Sequence, residues 1–250
     1  MGISKTHPEY SSNTTTELLV LAGGFGTRLR SAVSDVPKPL APVCNQPYLY
    51  YLIENWVEQG ISSLTFLLHH QALMIDEFLN LQERRGLLKD CRLHTLTEPQ
   101  ALGTGGAVAY AVQQFQLSGQ VLVANADTWL GSSIMEVSTA SAPAIATVKV
   151  INSERYGKVT VQNGKVAAFE EKQQSSGPGW INAGLYHLHT DIFQNWDGQP
   201  FSMEQSVLPK LAAGGQLNAV PLETDFIDIG VPEDYFRFCR WVESGKEGSL

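Results

Sequence analysis

From Glu17 onward, short apolar runs alternate with stretches that read as helix, and glycine or proline marks many of the junctions. Strands separated by helices pair in parallel, so the pattern predicts an α/β fold with a mostly parallel sheet covered by helices. Residues 18–22 form a short apolar run that ends in a glycine cluster. Pro47 can open a helix that Gly60 stops. Further strands are expected at 64–68, 92–97 and 121–124, and helices at 72–81 and 104–115. The second half reads differently. Residues 144–150 are an apolar strand, and Asn163-Gly164, between 158–162 and 165–169, is a type I′ hairpin signal. A strand at 181–188, a helix near 203–213, strands at 217–222 and 226–229, and a last helix opened by Pro232 complete the pattern. The sheet therefore carries an antiparallel insertion in its second half. One domain is expected over 17–245, between a polar, flexible leader at 1–16 and a tail at 246–250.

Composition narrows what such a domain does. Of 250 residues, 43% are hydrophobic and 17% charged, as in an ordinary globular protein. No apolar run approaches the ~18 residues of a membrane span, and the leader has no apolar signal core, so no membrane association is expected. Residues 2–6 fit a myristoylation pattern and Asn13-Thr14-Thr15 a glycosylation sequon. Both are short enough to arise by chance. Cys44, Cys91 and Cys239 are widely spaced and odd in number, which suits a reducing cytoplasm. The net charge of −8 argues against a nucleic-acid binder. An acidic chain can still hold polyphosphates with backbone N–H cradles and a bound cation.

Candidates for both devices are present. Leu21-Ala22-Gly23-Gly24-Phe25-Gly26-Thr27-Arg28 follows the first strand directly. Glycines there let the backbone approach a ligand and aim several N–H groups at it, and Arg28 adds a planar cationic fork. The segment is neither a Walker A loop nor a dinucleotide fingerprint, and alone it could be a tight turn. In Pro37-Lys38-Pro39, prolines brace a lysine that would need no brace if it were merely solvated. Asp127 follows a buried strand, at the sheet edge where α/β ligands bind. Asp228 lies between isoleucines at the end of a late strand, and a carboxylate buried there needs a partner. Mg²⁺ commonly takes one or two carboxylates plus substrate phosphates. The plain alternatives are a turn at Asp127 and a helix cap at Asp228. His69-His70 has no third ligand at metal spacing and reads as a polar strand end.

These segments resemble the signature of the sugar-1-phosphate nucleotidyltransferases. The likeness runs through residues 21–30, 37–43, 103–107, Asp127, 169–172, 181–185 and Asp228, and so covers nearly all of 18–235. Around 29–43 and 102–107 it is closest to the D-glycero-α-D-manno-heptose 1-phosphate guanylyltransferases. The resemblance implies a Rossmann-like sheet of the nucleotide-diphospho-sugar transferase fold. Residues 17–143 would mainly bind the nucleotide and 144–245 mainly the sugar. It implies an enzyme joining an NTP, GTP favoured, to a sugar 1-phosphate with Mg²⁺, for lipopolysaccharide or capsule precursors. A homo-oligomer is compatible with this reading.

Site roles follow residue by residue from the resemblance. Leu21, Ala22, Gly23, Gly24, Gly26, Thr27, Gly103, Thr104 and Asn125 would hold the nucleotide. Gly105, Glu170, Glu171, Asn182 and Gly184 would meet the sugar. Strand alternation favours Glu170 with Lys172, while the family's motif position favours Glu171, so both glutamates stand. Asp127 and Asp228 would carry the metal, and Arg28, Lys38 and Lys172 would flank the reacting phosphates. For the glycines at 103–106, the plain alternative is a helix start that needs close packing. Ala126 departs from the family's usual Gly-Asp, which puts close backbone contact there in doubt. Rival readings are uridylyl, thymidylyl or cytidylyl transfer to another hexose 1-phosphate, or a regulatory subunit that only senses nucleotide sugars.

Overall fold

The computed structural model describes residues 17–132, 134–156, 158–170 and 177–246. In chain order the first half comprises β1 (Glu17–Leu21), a small hairpin of β2 (Pro42–Val43) and β3 (Gln46–Pro47), and α1 (Tyr48–Glu58). It continues through β4 (Ser63–Leu68), α2 (Ala72–Arg84), β5 (Arg92–Thr97), α3 (Gly103–Gln114) and β6 (Gln120–Asn125). Next come β7 (Thr128–Leu130) and α4 (Ile134–Thr139), and the second half begins with β8 (Ala144–Val150), β9 (Lys158–Gln162) and β10 (Lys165–Glu170). There follow β11 (Gly179–His189), α5 (Met203–Ser206), α6 (Leu208–Ala213), β12 (Asn218–Leu222), β13 (Phe226–Asp228) and α7 (Pro232–Glu243).

Nine of the described strands form one sheet in the order β5-β4-β1-β6-β11-β8-β12-β10-β9. The four strands β5, β4, β1 and β6 are all parallel. Of these, β1 and β4 are buried on both faces and mainly apolar, as in parallel sheets covered on both sides. Beyond β6 the sheet is mixed. β11 runs antiparallel to both β6 and β8, β12 is parallel to β8, and β10 is antiparallel to β12 and β9. One sheet thus runs through both halves, and separate apolar clusters, centred on residues such as Val20 and Leu19, pack its two faces.

The hairpin turn has φ of +51° at Asn163 and +73° at Gly164, both positive as a type I′ turn requires. The helix expected over 203–213 is instead two short helices broken at Val207 (φ −109°, ψ −60°). Pro209 has no N–H to continue the ladder, and its ring crowds the carbonyl four residues back. β13 lies within the strand expected at 226–229, but β7 and its pairing with β13 were not expected, because a three-residue strand next to β6 carries too little periodicity. The leader at 1–16, with its two short modification patterns, and residues 247–250 of the tail lie outside the described residues.

Candidate active site

β1 stops at Leu21, so the glycine loop emerges at the C-terminal edge of the sheet. β6 ends beside it, with Asn125 opposite Leu21, and Ala126 N–H donates to Leu21 O at 3.1 Å. Asp127 is thereby set next to the loop. Lys38 comes between them on a 3-10 turn (Lys38–Leu40) whose Pro39 and Leu40 are buried anchors. Gly26 has φ +60°, and a Cβ there would stand 3.0 Å from Lys38 Cβ, so a glycine is what allows the loop to lie on the lysine.

Asp228 arrives from a segment 101 residues further along (228 minus 127). Ile229 N–H donates to Asp127 O at 3.0 Å, and Asp228 sits opposite Thr128 in the β7–β13 ribbon. The neighbouring partners Ile227 and Trp129 are buried, and alternation turns Asp228 and Thr128 into the cleft. Lys38 Nζ lies 2.6 Å from Asp127 Oδ2 and 3.4 Å from Asp228 Oδ1. A Cβ on Gly230 would fall 2.8 Å from Asp228 Oδ1 and 3.1 Å from both Arg28 Nη2 and Lys38 Nζ. Two cations and two carboxylates therefore share one small volume that admits no further side chain.

Their protonation differs. Burial pushes the Asp127 carboxyl up, but Lys38, the Thr128 hydroxyl and Arg28 outweigh it and hold it below the ordinary aspartate range. Asp228 is held above that range by burial and then by the charge of Asp127, with Lys38, Gly230 N–H and Arg28 only partly offsetting them. Carboxylates aimed at one point make a place for a cation. In this structure the Lys38 ammonium meets them, and the donor set also fits Mg²⁺, which takes one or two carboxylates and leaves positions for substrate phosphate. Among the described residues no group of three His, Cys, Asp or Glu could cage a metal without such help.

Three adjoining cavities open around this cluster. One of about 220 Å³ is lined by Leu21, Ala22, Gly24, Gly26, Thr27, Arg28, Lys38 and Asp127. A second, of about 280 Å³, lies between the glycine loop and the start of α3 and includes Gly23, Glu98, Gly103, Thr104 and Asn125. The third, of about 1160 Å³, faces the second half of the sheet and takes in Arg155, Tyr156, Asn182, Gly184, Tyr186 and Glu204. Asp127 borders all three.

The family model described as nucleotidyl transferase matches residues 17–244. The chain belongs to that family. It is 34% identical over 228 residues to the D-glycero-alpha-D-manno-heptose 1-phosphate guanylyltransferase of Campylobacter jejuni, covering 89% of this chain and 98% of the relative. It is 30% identical to the mannose-1-phosphate guanylyltransferase catalytic subunit beta of Xenopus tropicalis, covering 92% of this chain and 65% of that protein. The crystal structure of HddC from Yersinia pseudotuberculosis complexed with GMP-PN superposes with a TM-score of 0.78 at 32% identity, over 90% of this chain and 99% of that one.

In this nucleotidyltransferase, several expected contacts are used differently. Gly105, expected against the sugar, does not border the cavities described above. A Cβ there would overlap the Phe201 ring at 2.1 Å, and its N–H donates to Phe201 O at 3.0 Å, so close packing explains this glycine. Gly103 borders the second cavity, yet a Cβ on it would also strike Phe201 O at 2.6 Å. Thr104 donates its one hydroxyl proton to Glu204 and accepts Met203 N–H, so it caps α5 rather than its own helix. Ala126 borders the first cavity, but it is 2% exposed and packs in the core. β10 ends at Glu170, so alternation says nothing about residues beyond it. Glu171 and Lys172 lie outside the described residues, as does the side chain of Glu170. His69 and His70 pack their rings against Phe25.

Other lining residues had no individual role expected of them. Glu98 is buried at the end of β5; its Oε2 accepts Leu102 N–H at 2.8 Å, and its Oε1 lies close against Gly23. Burial pushes this carboxyl up, against the opposing pull of that N–H and of His69. Arg155 pairs with the buried Asp234 of α7, which ties this wall of the large cavity to the helix behind Asp228.

Proposed function

We propose that the protein transfers a guanylyl group from GTP to D-glycero-α-D-manno-heptose 1-phosphate, giving GDP-heptose and pyrophosphate. The observation that carries the transfer reaction is the convergence of three cavities on Asp127, with Asp228, Lys38 and Arg28 beside it. The small cavity suits phosphates, the one beside Glu98 the base, and the large one the sugar. A sugar phosphate oxygen attacks the α-phosphorus in line. The bond from that phosphorus to the oxygen bridging to the β-phosphorus breaks, and pyrophosphate leaves. A phosphate monoester, with a second pKa near ~6, is already largely dianionic at neutral pH and needs no general base. The protein's task is to align two anions and offset their repulsion.

Asp127 and Asp228 are the proposed carriers of Mg²⁺, which when bound would neutralise charge on the reacting phosphates. Arg28 steadies the departing pyrophosphate. Lys38 and Lys172 flank the phosphates, and Asn182 and Gly184 face the sugar. Glutamates at 170 and 171 remain the proposed partners of the sugar hydroxyls.

Two further observations favour GTP and heptose. Glu98 Oε1 is an acceptor at the wall of the base cavity, and guanine offers two donors on one edge, N1–H and the 2-amino group. The relative with the stated heptose activity matches over nearly its whole length. The proposed setting is the cytoplasm, which the widely spaced cysteines suit. Among the described residues no helix is long and apolar enough to cross a membrane.

The test is pyrophosphate release from each NTP with heptose, mannose, glucose and N-acetylamino sugar 1-phosphates, with Mg²⁺ and with chelator. GTP with the heptose phosphate should give the highest kcat/KM, and chelator should abolish it. Equal turnover in chelator would remove the metal, and preference for another pair would replace the substrates.

A further inference from the structure

The two halves of the cleft are joined by a chain of hydrogen bonds whose direction is set at one end. A carboxylate only accepts. Glu204 Oε2 accepts from the Thr104 hydroxyl at 2.6 Å and from the Ser202 hydroxyl at 2.8 Å. Glu204 Oε1 accepts from Tyr186 OH at 3.3 Å. Tyr186 has a single proton, so its oxygen must accept from its other neighbour, the Asn182 amide, at 3.0 Å. Asn182 Nδ2 therefore faces Tyr186, and its Oδ1 accepts Gly184 N–H at 3.0 Å. The two ends of a carboxamide have similar shape and opposite polarity, and here both contacts choose the same orientation. Burial first, then the charge of Glu204, holds the Tyr186 hydroxyl well above the ordinary tyrosine range, so it keeps its proton.

Nδ2 has a second hydrogen, and Asn182 lines the large cavity. We propose that Glu204 and Tyr186 are positioning residues that lock the Asn182 amide with its free N–H toward the substrate, so that the enzyme selects a sugar offering a hydroxyl oxygen there over one offering a protonated amine. A hydroxyl oxygen can accept that N–H, whereas an ammonium group can only donate. The inference rests on the sugar 1-phosphate reading above.

The test compares wild type, Tyr186→Phe and Glu204→Gln. Each is assayed at saturating GTP with the sugar 1-phosphate and with analogues carrying an amine in place of one hydroxyl, position by position. At one ring position the wild type should prefer hydroxyl to amine by about tenfold or more in kcat/KM. Both variants should reduce that preference while leaving the KM for GTP unchanged. Phenylalanine removes the hydroxyl that holds Nδ2. Glutamine can donate to Tyr186, which frees the tyrosine proton to turn toward Asn182 and lets the chain reverse. If Glu204→Gln does not fold, Tyr186→Phe alone decides the matter, since it keeps the ring. The idea is overturned if the wild type discriminates at no position, or if folded variants keep the full preference. No turnover of any sugar 1-phosphate by wild type would instead overturn the underlying reading, and this inference with it.

Discussion

The proposed phosphate corner and the proposed sugar cavity achieve their geometry by different physics. At the corner, Lys38 meets Asp127 at 2.6 Å and Asp228 at 3.4 Å, with Arg28 close by. Attraction between charges falls off slowly with distance, so the residue types matter more than their angles. On the sugar side, Asn182, Tyr186 and Glu204 are linked by hydrogen bonds, whose strength falls steeply with misalignment. Orientation is what that side must preserve. Changes at the corner should therefore strike turnover, while changes in the sugar cavity should alter recognition.

The largest expected effect lies at the corner. Lys38→Ala and Asp127→Ala should each slow pyrophosphate release on the order of 10²–10³-fold, the range for losing one charge-stabilising donor. Near wild-type rates in both folded proteins would abolish the contrast. At the base wall, Glu98→Gln should cut the preference for GTP over ITP, which lacks the 2-amino group, by about tenfold. The ratio of the two kcat/KM values measures it, and an unchanged ratio removes Glu98 as the base reader.

Arg155→Ala sharpens the contrast from the sugar side. Arg155 is 45% exposed on its side chain, and Arg237 stays 3.6 Å from Asp234, so the loss is limited. A Tm lower by about 2–4 °C is expected, as for a change of about 1 kcal/mol in a chain of this size. The KM for the sugar phosphate should rise while that for GTP holds. A fall in kcat of the size predicted for Lys38→Ala would show that the two regions do not divide the work.

The smallest effect separates the two aspartates themselves. Asp127 has a lowered pKa in the fold, so its ionised form adds stability that is present above its unfolded pKa and lost as pH falls through the folded value. Asp228 has a raised pKa, so its ionised form costs stability at neutral pH, and that cost disappears as pH falls through the folded value. At pH 7, Asp127→Asn should melt lower than wild type and Asp228→Asn at the same temperature or slightly higher. Melting curves without metal at pH 7 and in acid should show both differences shrinking as the carboxyls protonate. Equal shifts of the same sign at pH 7 would contradict the assignment.

Much of the first half was legible because its information is local. The runs at 18–22, 64–68, 92–97 and 121–124 predict β1, β4, β5 and β6 to within a residue or two, and glycine closes the first of them. Pro37 and Pro39 mark Lys38 as braced, and the buried 3-10 turn shows how. Features set by contacts between distant segments were less legible. Pro209 breaks a helix that hydrophobic spacing carries straight through. The glycines at 103–106 look like an open ligand loop, yet Phe201, almost a hundred residues away in sequence, fills the space beside Gly105. Glu98 and Glu204 lie in no charged motif, and only their neighbours distinguish them from solvated glutamates.

By itself the sequence determined the α/β class, the glycine loop at the first strand end, and the residue types needed at a phosphate site. Each of these depends on backbone preference or side-chain chemistry within a few consecutive positions. Only the tertiary structure decided that Asp228 reaches Asp127, through a ribbon of two three-residue strands. It alone decided which end of the Asn182 amide is held and which glycines pack against Phe201. Those outcomes depend on distances between segments far apart in the chain, and such distances exist only after the sheet has formed.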